Sequence, residues 1–236
     1  MAVDPLKEPA RVQGMFGSIA RRYDLLNHLL SGNMDRRWRR LAVGALPAAP
    51  SAPVLDLCCG TGDLALEIVK RRPGAYVVAC DFSRPMLAIA GEKVRRRSLT
   101  ERCAVVEGDG LRLPFPDGTF EAATVGFGVR NFADMERGIG EIRRVLRPGG
   151  RLVVLEFSKP TGPVFSRLYR FYLKRLLPLL GDGVSGASGP YGYLARTISD
   201  FPAAPDLAEA IRDCGFDRCD WRLLTGGIVA VHTAWK

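Results

Sequence analysis

The part of the chain that most constrains its fold is a glycine-containing segment near residue 60. Residues 54–69 read VLDLCCGTGDLALEIV. The apolar start predicts a buried strand, Gly60 and Gly62 predict a tight turn, and the spacing of the apolar residues after them predicts a helix. A strand, a glycine turn and a helix in this order let the backbone approach a nucleotide-like ligand closely. We therefore expect a ligand site at this turn.

Two acidic residues beside the turn narrow the kind of ligand. Asp56 lies at the end of the predicted strand, where its carboxylate can accept hydrogen bonds from a ligand. Asp63 follows the glycines, where a phosphate-binding loop would carry a lysine. The pattern argues against a pyrophosphate and favours a ligand with a cationic or hydroxyl-rich part.

Strands and helices alternate along the middle of the chain, which predicts an α/β fold with a doubly wound, parallel sheet. The predicted strands cover residues 53–58, 76–81, 103–107, 120–127 and 151–157. The predicted helices between them cover residues 62–71, 84–97 and 134–146. Towards the C-terminus a helix over 205–214 precedes a hairpin, so the last strand is expected to be antiparallel. The two strands of that hairpin are predicted at residues 217–224 and 227–235.

We expect one domain over residues 1–236, because this length is enough for a single α/β core. Its four parts are a helical cap with a break at Gly32 and Asn33, a cofactor-binding core, a lid or substrate segment, and a C-terminal helix and hairpin. They are expected at residues 10–46, 50–157, 160–203 and 205–236. Within the third part, a basic amphipathic helix is predicted over 165–180 and a loop over 181–192.

Composition excludes several classes of function. No apolar run reaches the roughly 18 residues needed to span a bilayer, and the N-terminus lacks the pattern of a signal peptide, so we expect a cytoplasmic protein. The spacing of the six cysteines fits neither a zinc site nor a disulfide framework, and with two histidines no metal site is predicted. The net charge of +9 permits an anionic partner, although a solvated arginine-rich surface explains most of it.

Three acidic residues, Asp56, Asp81 and Asp109, follow predicted strands, and ligands of open α/β sheets bind at such strand ends. Asp81 comes 21 residues after Gly60, where an acid can bind ribose hydroxyls. The alternative for Asp81 is a helix N-cap, because Ser83 follows and a helix begins. These residues alone fit NAD as well as S-adenosylmethionine.

The whole series of motifs resembles the class I methyltransferases that depend on S-adenosylmethionine. The motifs are GTG at 60–62, DFSRPML at 81–87, GDG at 108–110, and RVLRPGG at 144–150 as the turn into strand 151–157. The resemblance implies a Rossmann-like sheet of seven strands with S-adenosylmethionine as the cofactor. The implied cofactor-binding residues are Asp56, Gly60, Thr61, Gly62, Asp81, Phe82, Asp109 and Gly110. The resemblance places Phe82 beside the adenine and Asp109 at the adenine amino group. Cys58 stands at a position where the family usually has glycine.

Flanking segments make the resemblance more specific. The chain is similar to the quinone C-methyltransferases of menaquinone and ubiquinone synthesis, the UbiE/MenG/COQ5 group, in segments that begin at Met15, Gly126, Leu155 and Leu224. The resemblance implies that demethylmenaquinol, a prenylated hydroquinone, is methylated on carbon to give menaquinol. The Cys58–Cys59 pair and Gly126 are more similar to members that act on menaquinone alone. A ubiquinone precursor is the alternative acceptor.

The same resemblance suggests residues for the acceptor site. Arg130 is expected to stabilise a developing phenolate, and Asn131 to orient a hydroxyl or a water. Because an arginine side chain does not readily give up its proton, the proton acceptor is expected to be a water held by Arg130, or else His28, for which a structural role is favoured. Tyr23 and Asn27 are expected to contact the substrate. The alternatives are a surface turn for Arg130 and Asn131, and core packing for Tyr23.

The isoprenoid tail needs an apolar groove, which the predicted amphipathic helix can supply. Its candidate lining residues are Phe165, Leu168, Phe171, Tyr172, Leu176 and Leu179. Basic residues on the same helix suit lipid headgroups and lead us to expect peripheral contact with the inner face of the membrane. These residues are Arg167, Arg170, Lys174 and Arg175. A core-packing helix with a solvated face explains the pattern equally well.

Other classes of function remain as alternatives. The basic charge permits an RNA acceptor, but few aromatic–basic clusters support one, so no nucleic-acid partner is expected. An NAD-dependent oxidoreductase fits the glycine turn, and a non-catalytic, cofactor-binding subunit of a quinone-synthesis complex fits the family resemblance. The oligomeric state stays open, with a homodimer as one option.

Overall fold

The computed structural model of the chain describes residues 8–176 and 190–236, and a seven-stranded sheet runs through them. The strands are β1 (Val54–Leu57), β2 (Val77–Asp81), β3 (Cys103–Glu107), β4 (Phe120–Gly126), β5 (Leu146–Phe157), β6 (Arg218–Leu224) and β7 (Val229–Trp235). They lie in the order β3-β2-β1-β4-β5-β7-β6. The first five pair in parallel, and β7 pairs antiparallel with β5 and β6. The predicted doubly wound sheet with an antiparallel last strand is confirmed.

Helices cover both faces of this sheet. They are α1 (Pro9–Leu30), α2 (Met34–Gly44), α3 (Asp63–Arg71), α4 (Arg84–Arg96), α5 (Met135–Val145), α6 (Pro163–Phe171), α7 (Pro190–Asp200) and α8 (Ala204–Asp213). Because successive strand residues point to opposite faces, Val54 packs in the core on the α2–α3 side, whereas Leu55 packs in the core that contains Ile139 and Leu207. With both faces covered, the carboxyl ends of the strands remain as the place for a ligand.

The predicted break in the N-terminal helical region is confirmed. Helix α1 ends at Leu30 and α2 begins at Met34. Asn33 between them adopts a left-handed conformation with φ of 62°, which a helix cannot continue through. The two helices therefore meet at a corner and can pack on different parts of the sheet.

The start of β5 differs from the prediction. The strand begins at Leu146, five residues before the predicted start at residue 151. Leu146 pairs with Phe120, and the register shifts before the regular ladder resumes. The Pro148-Gly149-Gly150 turn is thus an irregularity within the strand, with Gly149 at φ 72°. A glycine in this conformation is typical of a bulge.

The segment before α8 also differs. The predicted loop over 181–192 is wrong at its end, because Pro190 begins α7. Ile198 of α7 is buried together with Leu26 of α1, and such long-range packing stabilises a helix that a glycine- and serine-rich sequence does not indicate.

The predicted helix over 165–180 is observed as far as the described residues reach, as α6 followed by a π-helical turn, Tyr172–Leu176. Its predicted positions 177–180 lie outside the described residues. The predicted tail contact at Leu179 and the loop positions 181–189 lie outside the described residues.

A chain of ion pairs fastens α1 to the rest of the fold. Lys93 Nζ lies 2.6 Å from both Asp24 of α1 and Asp63 of α3. Asp63 also pairs with Arg39 of α2 at 3.0 Å. The hydroxyl of Thr61 in the glycine turn donates to Asp24 at 2.5 Å. These partly buried contacts hold the N-terminal helix against the sheet ends, where salt screens them less than it would at an open surface.

Two glycines of α5 provide a matched test of how closely this helix packs against its neighbours. A Cβ atom at Gly138 would lie 2.5 Å from the Phe132 ring, whereas a Cβ at Gly140 would meet nothing within 4 Å. We expect Gly138→Ala to lower the free energy of unfolding by about 1–3 kcal/mol through overpacking. Gly140→Ala should raise it by about 0.5–1 kcal/mol, because alanine is the better helix former. Urea unfolding measures both, and shifts in the same direction would contradict this packing.

Candidate active site

The carboxyl ends of the central strands open into a concave site of about 790 Å³, here called the sheet-end cavity. It brings together five of the residues predicted to bind the cofactor. These are Gly60, Asp81, Phe82, Asp109 and Gly110. Helix α1 supplies Val12, Phe16 and Tyr23 to the opposite wall. The N-terminal helical cap is therefore part of this site.

Asp81 holds the glycine turn in place. Its Oδ2 accepts a hydrogen bond from the Gly60 amide at 2.8 Å, and its Oδ1 accepts one from the Ser83 amide at 2.9 Å. Burial raises the pKa of Asp81, and these amide hydrogen bonds counteract the rise. The N-cap alternative for Asp81 is wrong, because the N-cap of α4 is Ser83, two residues later. A hydrogen bond from Asp81 to a hydroxyl of a ligand stays a prediction.

Asp56 lies at a smaller inner cleft that continues from the sheet-end cavity and is also lined by Gly60 and Thr61. Its carboxyl is fully buried, and Oδ1 accepts a hydrogen bond from the Thr124 hydroxyl at 2.6 Å. Oδ2 has no hydrogen-bond partner within the described part of the chain. Burial raises the pKa of Asp56 to about 7. A buried oxygen without a donor fits the cationic amino group of the predicted cofactor.

The turn itself needs unusual backbone angles. The φ angles of Cys58, Gly60 and Gly62 are 54°, 54° and 83°. A Cβ atom at Gly62 would also come within 3.1 Å of the Ala90 side chain, so glycine gives the closest approach of α3 and α4. Cys58 holds a conformation that costs a non-glycine residue about 1–2 kcal/mol. A glycine at this position would adopt the same angles without that cost.

The other predicted cofactor residues have clear local partners. Asp109 Oδ1 accepts a hydrogen bond from the Leu111 amide at 2.9 Å. A Cβ atom at Gly110 would lie 3.0 Å from the Phe132 ring, and the Phe82 carbonyl accepts a hydrogen bond from Gln13 of α1 at 2.7 Å. All three residues border the sheet-end cavity, and their contacts with an adenine ring stay predictions.

A second cavity of about 830 Å³, here called the aromatic chamber, lies between α1, α2, α6 and α7. Its aromatic rings are those of Tyr23, Trp38, Phe127, Phe157, Tyr169 and Tyr172. The ring centroid of Phe127 lies 4.9 Å from that of Phe157 and 6.1 Å from that of Trp38. Tyr23 and Phe127 line both the chamber and the sheet-end cavity. These two residues therefore mark the place where the cavities meet.

Arg130 lies in the wall of the aromatic chamber. Its side chain is only 4% exposed, so the surface-turn alternative is wrong for this residue. Nη1 lies 2.9 Å from Glu156 Oε1, and the guanidinium carbon lies 5.2 Å from the Phe157 ring centre. Nε is buried without a hydrogen-bond partner among the described residues. The guanidinium is thus fixed by the carboxylate at Nη1, and its Nε–H group is left without an acceptor among the described residues.

Glu156 is the functional candidate that reasoning from the sequence missed. It lies near the end of β5 and is fully buried. The sequence does contain a sign of its role, because a single acid follows the apolar run of β5. An acid that is buried in this way requires a partner. The partner could not be read from the sequence because Arg130 is 26 residues away.

The other predicted acceptor residues separate into two places. Asn131 lines the sheet-end cavity, where its Oδ1 accepts a hydrogen bond from the Tyr193 hydroxyl at 3.1 Å. Tyr23 and Asn27 line the aromatic chamber, and their side chains hydrogen-bond to each other. Burial raises the pKa of Tyr23, and the nearby charge of Arg130 counteracts the rise. Neighbours in sequence, Arg130 and Asn131, therefore face different cavities.

The sequence profile of the ubiE/COQ5 methyltransferase family matches residues 5–236. The chain belongs to this family. Membership confirms the predicted class of enzyme, a methyltransferase, and its predicted cofactor, S-adenosylmethionine.

Individual relatives are similar over nearly their whole length. A demethylmenaquinone methyltransferase of Thermus thermophilus is 52% identical over 219 residues, which are 92% of this chain and 98% of that protein. A demethylmenaquinone methyltransferase of Deinococcus radiodurans is 46% identical over 225 residues, which are 95% of this chain and 92% of that protein. The similarity thus extends beyond the cofactor-binding core.

Solved structures support the fold. The cyclase SpnF matches with a TM-score of 0.71 and 21% identity, over 96% of this chain and 95% of that one. An S-adenosylmethionine-dependent methyltransferase from Thermotoga maritima matches with a TM-score of 0.67 and 18% identity, over 94% of this chain and 98% of that one. Since a cyclase also has this architecture, the fold alone does not define the reaction.

The raised pKa of Asp56 leads to a pH prediction. Below pH 7 its carboxyl is protonated and neutral, so it cannot pair with a cationic amino group. We expect the Kd of S-adenosylhomocysteine, measured by calorimetry, to rise about tenfold between about pH 8 and pH 6. Asp56→Asn should bind weakly with little pH dependence, whereas Asp109→Asn should keep the dependence. The same slope in Asp56→Asn as in the wild type would contradict this role.

Proposed function

We propose that this enzyme transfers a methyl group to a ring carbon of demethylmenaquinol in menaquinone biosynthesis. The observation that carries the proposal is the meeting of the sheet-end cavity and the aromatic chamber at Tyr23 and Phe127. A cofactor in the first cavity and a flat, apolar ring in the second would face each other there. The names of the relatives that span the whole chain support the same acceptor.

The chemistry favours a reduced acceptor. When bound, S-adenosylmethionine supplies an electrophilic methyl group, so the acceptor carbon must be electron-rich. A hydroquinone meets this need, whereas an oxidised quinone ring is electron-poor. The chamber offers aromatic faces that can hold the ring, such as those of Trp38 and Phe157.

Arg130 is proposed to donate a hydrogen bond to a ring oxygen of the acceptor. Its positive charge is already balanced by Glu156, so its contribution is a fixed donor rather than an unpaired charge. A donor aimed at developing phenolate charge typically lowers the activation barrier by a few kcal/mol. His28 pairs with Asp35 at 2.7 Å across the corner between α1 and α2, which supports a structural role for it. A water therefore remains the favoured proton acceptor.

A membrane-facing surface is proposed around the exposed side of α1 and α6. None of the helices within the described ranges combines the length and the hydropathy needed to cross a bilayer. Large apolar side chains are exposed here instead, namely Leu25, Leu29, Val164, Leu168 and Phe171. Arg167 and Arg170 lie exposed among them. Apolar side chains with basic neighbours suit the interface of an anionic membrane, where a prenylated acceptor resides.

We also propose a four-part division of the chain at residues 10–46, 50–157, 160–203 and 205–236. In this division the first part is the cap over the site and the second is the cofactor-binding core. Asn131 is proposed to orient a hydroxyl or a water from the side of the sheet-end cavity.

The proposed reaction is tested by the redox state of the acceptor. With S-adenosylmethionine and reduced demethylmenaquinone, mass spectrometry should detect a product one methyl group heavier, and the same acceptor kept oxidised should give none. A reduced, demethylated ubiquinone precursor should react more slowly. Equal methylation of the oxidised acceptor would refute the mechanism, and preference for the ubiquinone precursor would refute the acceptor assignment.

The membrane surface is tested by charge substitution. The double variant Leu168→Asp/Phe171→Asp should bind anionic lipid vesicles at least about tenfold more weakly than the wild type, because two apolar anchors are lost. Co-sedimentation measures the binding. The control Trp221→Asp/Leu223→Asp adds the same two charges at exposed apolar residues of the edge strand β6 and should bind like the wild type. Equal losses in both variants would show that net charge, not this surface, controls binding.

A further inference from the structure

Glu156 is a buried acid that accepts hydrogen bonds from the turn after β4 and from its own strand. Its carboxylate accepts Arg130 Nη1 at 2.9 and 3.2 Å, and the Phe157 amide at 2.9 Å. The Arg130 amide approaches it at 3.4 Å. The strand that carries it and the turn after β4 are thereby tied together at the carboxyl edge of the sheet. Burial raises the pKa of Glu156, and Arg130 is the main group that counteracts the rise.

The same guanidinium reaches a second, conformationally unusual residue. Arg130 Nη1 also donates a hydrogen bond to the Phe127 carbonyl, which the Asn131 side chain approaches at 3.5 Å. Phe127 has φ of 57°, a left-handed conformation that is rare for an aromatic residue. Backbone conformations of this kind persist only where surrounding contacts fix them. Its ring stands at the junction of the two cavities.

We propose that Glu156 is a positioning residue for methyl transfer, which acts through Arg130 on both the acceptor and Phe127 at the junction of the two cavities. The inference rests on the proposed function. The carboxylate holds Nη1, so that the guanidinium keeps one orientation in the wall of the chamber. The carbonyl contact holds Phe127 in the left-handed conformation that it adopts where the two cavities meet.

This arrangement predicts a particular kinetic effect. Without the carboxylate, Arg130 can rotate and the Phe127 turn can relax, so the acceptor and the methyl donor lose alignment. A displacement of about 1 Å at a reacting centre can reduce the rate about 100-fold. Asp56, Asp81 and Asp109, which border the cofactor region, make none of these contacts, so cofactor affinity should be unaffected.

The test is a double-mutant cycle with Glu156→Gln, Arg130→Met and the double variant. We expect Glu156→Gln to lower kcat for reduced demethylmenaquinone by about 10–100-fold. Its Kd for S-adenosylhomocysteine should stay within about twofold of the wild type. In the Arg130→Met background, Glu156→Gln should have no further effect. A Glu156→Gln enzyme with wild-type kcat, or effects that simply multiply in the double variant, would overturn the proposal.

The matched control is Glu121→Gln. Glu121 pairs with Arg147 at 2.9 Å near the opposite end of β4, so the same chemical change there should leave kcat unchanged. If Glu156→Gln fails to fold, the double variant Glu156→Met/Arg130→Met removes both charges together, which buried pairs tolerate better. It should fold, bind S-adenosylhomocysteine normally and match the low kcat of Arg130→Met; a wild-type kcat would refute the proposal.

A readout that needs no turnover separates this inference from the proposed function. The Nε–H resonance of Arg130 should be protected from solvent exchange in the wild type and lose that protection in Glu156→Gln. If the wild type has no activity, the proposed function fails, and this resonance alone decides whether Glu156 positions Arg130. Unchanged protection in Glu156→Gln would refute positioning.

Discussion

The ion pairs that fasten α1 to the sheet ends are the contacts on which the rest of the site depends. Lys93 joins Asp24 to Asp63, and the hydroxyl of Thr61 joins Asp24 to the glycine turn. Thr61 was predicted to bind cofactor, but its side chain is already engaged with α1. Without this attachment Tyr23 and Asn27 would lie outside the site, and the sheet-end cavity would be an open groove.

Local patterns were enough to predict most of the fold. Apolar runs, glycine turns and helical spacing are patterns among residues that are close in sequence. Strands such as Val77–Asp81 were therefore predicted almost to the residue. The exceptions depend on distant contacts. Helix Pro190–Asp200 is stabilised by packing against α1, and the early start of β5 at Leu146 depends on pairing with Phe120. Neither partner can be identified from a nearby pattern.

The residues of the candidate site, like the elements of the fold, were predictable where they follow from local sequence patterns. Acids at strand ends identified Asp56, Asp81 and Asp109, because parallel strands bring their carboxyl ends to one edge. The sequence does not show that Arg130 and Asn131 face different cavities, because this depends on the short helical turn that contains both residues. The dependence of Arg130 on Glu156 was equally hidden, because it arises only when β5 is laid beside β4.

Helix α1 forms a wall of both cavities, and this has a thermodynamic consequence. Both ligands would contact this helix, so whichever binds first would restrict its movement, and the second ligand would lose less conformational entropy on binding. Cofactor and acceptor should then increase each other's affinity by the same factor, as linkage requires. S-adenosylhomocysteine, the cofactor after methyl transfer, would also increase the affinity of the enzyme for a quinol. One helix thereby couples two ligands that need only meet at Tyr23 and Phe127.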